Sequence, residues 1–416
     1  MENGIIVVGG GASGMMAAGR AAQCGAPVLL LEKTGRLGNK LRITGKGRCN
    51  VTNQAELREF ITHFGPQGRF LYRAFSRFFH EDLRAFLQQR GVPTVIERGG
   101  RIFPYSNEAE DVVRALTAYL TEGRVEIRYR APVRRLLIEE GRVAGVELED
   151  GSALPARAVI LATGGLSYPL TGSNGDGYRL AGEVGHRLIP QRPALVPLVT
   201  KEPWVASLQG VALRNVRASL LVSEEVRAQQ FGEMLFTHFG LSGPIILTLS
   251  KAAVAALGQG RVQISIDLKP ALSDEQLDAR LRRDLDEVGK KTFRNILKGL
   301  VPLRMRDLYV TLTGIPADKP GHQITAAERQ RLMSSLRDLR LTVIGARPIE
   351  EAIITAGGVD LSEVEPRTME SRRVRGLYFC GEVLDLDADT GGYNLQAAFS
   401  TGYLAGECAA EPGASA

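Results

Sequence analysis

Ile5-Ile6-Val7-Val8-Gly9-Gly10-Gly11-Ala12-Ser13-Gly14 decides the fold of this chain: an apolar run enters a glycine turn that opens directly into small helix formers, Ser13 to Cys24. Pro27 to Leu31 is apolar again and Glu32 follows, so the opening segment predicts strand, tight turn, helix, strand. The glycines of this G-x-G-x-x-G spacing have separate duties. Gly9 permits the bend, Gly11 lets backbone approach a pyrophosphate, and Gly14 lets helix and sheet pack closely. The helix N-terminus at Ala12 and Ser13 offers free N–H groups and a positive dipole end to phosphate. Glu32 can accept hydrogen bonds from ribose hydroxyls, which favours an adenosine without a 2′-phosphate, as in FAD or NAD.

The rest of the composition excludes several classes. At 416 residues the chain exceeds what one hydrophobic core serves, so two or three cores are expected. No stretch is apolar for long enough to cross a membrane, and Met1-Glu2-Asn3-Gly4 runs into a strand without a signal-peptide pattern, so a cytoplasmic protein is expected. Cys24, Cys49, Cys380 and Cys408 form no C-x-x-C pair, which argues against a disulfide framework, a zinc site or a dithiol centre. The net charge of +6 is compatible with a polyanionic partner.

Outward from the first turn, Val125-Ile127-Tyr129, Val133 to Ile138 and Val143 to Leu148 alternate as in a meander, and Ala158 to Ala162 is a buried run ending in Thr163-Gly164-Gly165. From about Pro190 the strands have one wet face: Leu195 to Thr200, Leu213 to Ser223 and Val262 to Leu268 suit an antiparallel sheet or partial barrel. Leu277, Leu281, Leu285 and Val288 then share one helical face, and Leu332, Leu336 and Leu339 another. Ser273 with Gln276 and Thr325 with Glu328 have capping-box spacing. The expected fold class is α/β: a split Rossmann-like nucleotide-binding domain, 1–190 and 345–416, with an inserted antiparallel β domain, 191–270 and 340–345, that carries a helical subdomain, 271–339.

FAD is preferred over NAD because Gly35-Arg36-Leu37-Gly38-Asn39-Lys40 follows the acid at once, and Ala162-Thr163-Gly164-Gly165 and Gly381-Glu382 recur far downstream. A cofactor as long as FAD needs contacts from several distant segments. No second G-x-G-x-x-G follows a strand, so a nicotinamide donor, NADPH or NADH, would dock only transiently. Gly45-Lys-Gly-Arg-Cys-Asn-Val-Thr-Asn53, Phe236-Thr-His-Phe-Gly-Leu-Ser-Gly-Pro244, Thr355-Ala-Gly-Gly-Val-Asp360, Gly381-Glu-Val-Leu-Asp385 and Thr390-Gly-Gly-Tyr-Asn-Leu-Gln396 resemble the YhiN/BaiN/RdsA flavoproteins, across nearly the whole chain. The resemblance implies FAD, non-covalent because the motif preceding Arg48 lacks a histidine near the expected ring position, and places Gly9, Gly11, Gly14 and Glu32 on its ADP half, the Val133 backbone on adenine, Gly381 and Glu382 near the ribityl chain, and Gly391, Gly392, Asn394 and Leu395 facing the flavin ring. It also implies reduction of a C=C bond, with a uridine of large-subunit ribosomal RNA the favoured substrate. Aminoacetone oxidation, enone or bile-acid reduction, and a flavin-bearing RNA assembly factor stand as alternatives.

Lys33, Arg36, Lys40, Arg42, Lys46 and Arg48 form a run without an acid, which either solvates a loop or holds phosphates of FAD or RNA. Residues 270–340 hold 14 Lys plus Arg against 10 Asp plus Glu, a second basic excess. Cys49 is either an acid beside the flavin or a buried structural thiol, and Arg48 would lower its pKa or bind substrate. His238 is either a proton donor or a hydrogen-bonded structural histidine among apolar neighbours. No metal-ligand spacing competes with these readings.

Overall fold

The computed structural model describes residues 4–287 and 290–411, so Met1-Glu2-Asn3 and Val288 lie outside the described residues. The chain divides into two units, Met1–Arg192 with Ile349–Ala416, and Pro193–Pro348. The first is discontinuous in sequence and the second is inserted into it.

In the first unit five parallel strands run in the order Leu377–Phe379, Ala158–Leu161, Ile5–Val8, Val28–Glu32, Glu126–Tyr129. All residues of Ile5–Val8, Val28–Glu32 and Ala158–Leu161 are buried, which is why they read as continuous apolar runs. The first strand of the chain lies in the middle and its two neighbours follow it on opposite sides. The crevice beyond its carboxyl end is therefore the switch point at which open α/β sheets take ligands. Glu126–Tyr129 differs from the sequence expectation: it is the parallel edge strand beside Val28–Glu32, and none of its residues is fully buried. The meander proper is Val133–Glu139, Arg142–Leu148 and Ala153–Pro155.

Helix Ala12–Gln23 packs against helix Tyr393–Ala410 with backbones in close approach, because a Cβ on Gly402 or Gly406 would overlap the carbonyl oxygen of Ser13 or Ala17. The last helix thereby reaches back to the first turn of the chain.

The second unit is a closed antiparallel barrel rather than a partial one, in the order Leu198–Thr200, Gly240–Ser242, Glu225–Phe236, Ala212–Val222, Val262–Asp267, Leu339–Ala346. Glu225–Phe236 was not readable as a strand because Met234 and Phe236 are its only buried residues. Helices Asp274–Glu287, Phe293–Ile296, Arg306–Thr313 and Ala326–Arg337 lie between the last two strands in sequence. Leu277, Leu281, Leu285, Leu332 and Leu336 are all buried, whereas Leu339, expected on the second helical face, begins the strand Leu339–Ala346 because the helix ends at Arg337. Both capping boxes form: Ser273 N–H donates to Gln276 Oε1 (2.9 Å) and Gln276 N–H to Ser273 Oγ (3.2 Å), while Thr325 N–H donates to Glu328 Oε2 (2.8 Å) and Glu328 N–H to Thr325 Oγ1 (3.2 Å). Among the described residues, no helix is long and apolar enough to cross a membrane.

Candidate active site

The turn after Ile5–Val8 is shaped by what surrounds each glycine. Gly9 has φ +105°, and a Cβ on it would come within 2.6 Å of the Ala162 carbonyl oxygen. A Cβ on Gly14 would overlap the Gly9 carbonyl oxygen and approach Ala162 Cβ at 3.2 Å. Gly11 is different, since a Cβ there would meet nothing within 4 Å. Helix Ala12–Gln23 starts at this open space, and its first turn holds no acidic residue that would satisfy its positive end. Glu32, 7% exposed, accepts from Gly10 N–H (2.8 Å) and Thr34 N–H (2.7 Å), which fixes the acid beside the turn and leaves carboxylate lone pairs for a ligand. Ala131 N–H donates to the Glu32 carbonyl (3.1 Å), so the strand beginning at Val133 starts next to that acid.

A second layer closes the crevice from the far end of the sequence. Gly381 lies against Ser13, whose Cβ a side chain at 381 would meet at 2.9 Å, and Gly381 N–H donates to Thr401 Oγ1 (3.0 Å) on the last helix. Glu382 is a structural junction: it accepts from Lys40 Nζ (2.7 Å), Ser167 Oγ (3.0 Å) and the Thr355 N–H (2.8 Å). Lys33 is likewise engaged, donating to Asn174 and to Asp176 Oδ2 (2.7 Å). Lys33 and Lys40, two of the three lysines of the basic run, thus serve carboxylates of the protein. Thr163 backs Gly9, with its Oγ1 buried and unpartnered among the described residues, and Gly164 abuts the buried Ser173 hydroxyl.

Near Gly391 and Gly392 the segment Gly45–Asn53 meets the last helix. Asn53 Nδ2 donates to the Gly391 carbonyl (3.1 Å). Gly392, φ +98°, presses on Thr52 so closely that a Cβ would come within 2.7 Å of Thr52 Cα. Asn394 holds the preceding loop, accepting from Ala388 N–H (2.8 Å) and donating to the Ala388 carbonyl (2.9 Å), and Leu395 follows in the first turn of a helix whose start also carries no acid. His63 Nδ1 lies 2.9 Å from Asp389 Oδ2, and its ring stacks on Tyr393 at 3.9 Å.

The proposed catalytic residues do not converge in the same way. Cys49 is fully buried in the hydrophobic core, and burial pushes its thiol up to about 12, so it is a core side chain. The Arg48 guanidinium turns from it to Glu97 and Asn107 and lies 4.2 Å over the Phe103 ring. His238 belongs to the second unit, where it is exposed in the turn between Glu225–Phe236 and Gly240–Ser242; it is not enclosed by apolar neighbours because it sits at a hairpin tip.

Residues 3–408 match the model of the HI0933-like protein Rossmann domain. The chain belongs to the HI0933-like family. Across 98% of its length it is 35% identical to the 3-dehydro-bile acid delta(4,6)-reductase of Clostridium scindens, covering 99% of that protein. It is 32% identical to the ribosomal RNA dihydrouridine synthase of Escherichia coli, covering 96% of each chain. Its fold is similar to that of the 3-ketosteroid-delta4-(5alpha)-dehydrogenase from Rhodococcus jostii RHA1, with a TM-score of 0.53, 14% identity, and coverage of 98% of this chain and 96% of that one.

As a member of the HI0933-like family the chain is a flavin-dependent oxidoreductase. Its residues fit FAD on two observations: the empty space over Gly11 at a helix start without an acid, and the junction of the 381 and 391 turns on one helix that packs against that same start. Sequence reasoning did not single out Asn53, Ser167, Thr355, His63 or Asp389. Asn53 and Thr355 stand at the ends of quoted motifs, but their partners, like those of Ser167, His63 and Asp389, lie in other segments, His63 and Asp389 being 326 positions apart. Among the described residues, no cluster of His, Cys, Asp and Glu could hold a metal ion.

Proposed function

We propose that this enzyme, with NADPH or NADH as electron donor, saturates a C=C bond conjugated to a carbonyl, and that the substrate is a uridine of large-subunit ribosomal RNA, which becomes dihydrouridine. The observation carrying this reading is that two relatives of nearly full length, one named for bile-acid delta(4,6) reduction and one for dihydrouridine synthesis, share one chemical outcome. In each case two hydrogens are added to an electron-poor double bond. FAD held at the turn of residues 9–14 and at the 381 and 391 turns would supply hydride-transfer chemistry for such an outcome.

In this reading the chain's residues position and polarise. Gly9, Gly11, Ala12, Ser13 and Gly14 present backbone N–H groups to the pyrophosphate at the helix start. Glu32 accepts ribose hydroxyls, Val133 offers backbone to adenine, and Thr163 and Gly164 line the crevice behind the turn. Gly381 and Glu382 set the ribityl side, with Lys40 and Lys33 acting through the carboxylates they hold. Gly391, Gly392, Asn394 and Leu395 bring a second helix N-terminus toward the ring, where its dipole favours negative charge. Cys49 is sealed in the core and the Arg48 guanidinium is held by Glu97 and Asn107, so neither is the proton donor in this reading.

The test uses large-subunit RNA stripped of protein from a strain lacking the gene. Incubation with the purified enzyme and NADPH should add two hydrogens to one uridine, located by mass mapping. No dihydrouridine under those conditions, with NADPH consumed when a conjugated steroid enone is supplied, overturns the RNA reading in favour of a small-molecule reductase. That second reading draws on the 35% identity to the bile-acid enzyme over essentially the whole length of both chains.

A further inference from the structure

On the barrel of the second unit, strands Ala212–Val222 and Glu225–Phe236 form a long hairpin with an irregularity near one end. Leu213 pairs with Met234 and Val216 with Gly232, so Arg214 and Asn215 together oppose the single residue Glu233. This is a β-bulge, a device that re-aims side chains. Asn215 has φ +54°, a conformation held at some cost for a non-glycine residue.

The bulge leaves Arg214, Asn215 and Arg217 exposed in close succession. Among the described residues neither arginine makes an ion pair. The Cα partner of Arg217 on one side is Phe231, which is 57% exposed. On the other side it is Asp267, whose carboxylate is taken by Arg337 (3.1 Å) and by the Lys269 N–H (2.8 Å). The next row outward is polar, with Gln229 Nε2 donating to Ser219 Oγ (2.9 Å). Glu233 is the exposed acid that faces the bulge.

An exposed aromatic ring paired across strands with a guanidinium that has no carboxylate partner puts a flat apolar face beside a positive charge. It suits a ligand with flat faces and a regularly spaced negative backbone, because bases stack on aromatic rings while arginine meets phosphate. We propose that Phe231, Arg217 and Arg214 form a platform that binds a single-stranded segment of RNA, Phe231 stacking on a base and the two arginines meeting phosphates. This rests on the RNA reading above and extends it by naming the surface that holds the substrate.

The test is fluorescence anisotropy of a labelled single-stranded uridine-rich oligonucleotide with FAD-loaded full-length protein. Phe231→Ala should weaken binding by about tenfold, and Phe231→Tyr should restore most of it. Arg214→Ala with Arg217→Ala should weaken binding and make the slope of log affinity against log salt shallower by roughly 0.7 for each phosphate that is no longer neutralised. Glu233→Gln should strengthen binding, because it removes a like charge from the phosphate path. Flavin content and melting temperature check that each variant is folded. If the wild-type protein modifies ribosomal RNA but these variants bind the oligonucleotide as tightly as it does, the platform is overturned and the RNA reading stands. If the wild-type protein neither binds nor modifies RNA, both fall. A change of oligomeric state in Phe231→Ala with RNA affinity unaltered assigns the surface to a protein contact and overturns the proposal.

Discussion

Around Gly11 an added Cβ would find open space, whereas three positions later at Gly14 it would overlap the Gly9 carbonyl, and at Gly392 it would collide with the backbone of Thr52. All three sit at helix starts in glycine-rich stretches of the first unit, and the motif spacing that separates the duties of Gly11 and Gly14 does not extend to Gly392. The difference shows two uses of the same residue. Gly14 and Gly392 are glycine because protein fills the place of the side chain; Gly11 is glycine at a place that protein leaves open. A packing glycine is thus marked by protein in the place of its side chain, whereas the open space at Gly11 bears on a ligand only because it lies at a helix start, since turn glycines such as Gly25 and Gly91 lack a neighbour too.

Substitutions separate the two. Gly14→Val should cost the apoprotein about 3 kcal/mol, since backbone on both sides of the clash is fixed by strand and helix. Urea denaturation of the flavin-free protein measures it, and a loss below about 1 kcal/mol would contradict the packing assignment. Gly392→Ala should cost about 2 kcal/mol in the same assay, from a positive φ of +98° and the close approach of Thr52.

Gly11→Val should behave in the opposite way. Its φ of −83° and ψ of −168° are extended backbone that valine adopts freely, so apoprotein stability should change by no more than about 0.5 kcal/mol. Valine would occupy the room over the helix start, and FAD affinity should fall at least about tenfold, which flavin fluorescence titration reads. A variant that keeps its flavin, or that unfolds without it, breaks the contrast with Gly14.

How much of the site was legible follows from the same contrast between local and distant neighbours. Gly9 to Glu32 is contiguous, and each duty there follows from local spacing: strand burial, turn, helix start and acid all occur in one βαβ unit. The junction at Glu382 was visible only as a motif, because its partners Lys40, Ser167 and Thr355 come from three separate segments. The barrel strand Glu225–Phe236 was missed, since its outward residues erase the alternation that marks a half-buried strand. Cys49 was ambiguous for a related reason: whether a thiol is exposed or sealed depends on packing by residues remote in sequence. Cys49 is part of the core whereas Cys24 is exposed. With its thiol at about 12, Cys49 is thiolate in only about one molecule in ten thousand at pH 8. Iodoacetamide at that pH should label Cys24 in the folded protein and spare Cys49 until denaturant is added. Peptide mass mapping decides it, and rapid native labelling of Cys49 would reopen its case as the proton donor.

The smallest effect is expected in the helical part of the second unit, where Glu328 caps helix Ala326–Arg337. The Lys319 ammonium, donating to both carboxylate oxygens at 2.8 Å, is the main cause that holds this carboxyl down at about 2, with the Thr325 N–H adding to it. A depressed folded-state pKa stabilises only while the group is ionised. The contribution is therefore complete above the ordinary carboxylate value of 4.5 and is lost as pH falls from there through about 2. Glu328→Gln keeps a side-chain oxygen that can still accept from the Thr325 N–H but loses the charge facing Lys319, so it should cost about 1 kcal/mol at pH 7. The difference in melting temperature between the two proteins should shrink below pH 4.5 and vanish near pH 2. A gap that stayed constant across that window would mean the cap acts through its hydrogen bonds alone, with no contribution from the ion pair.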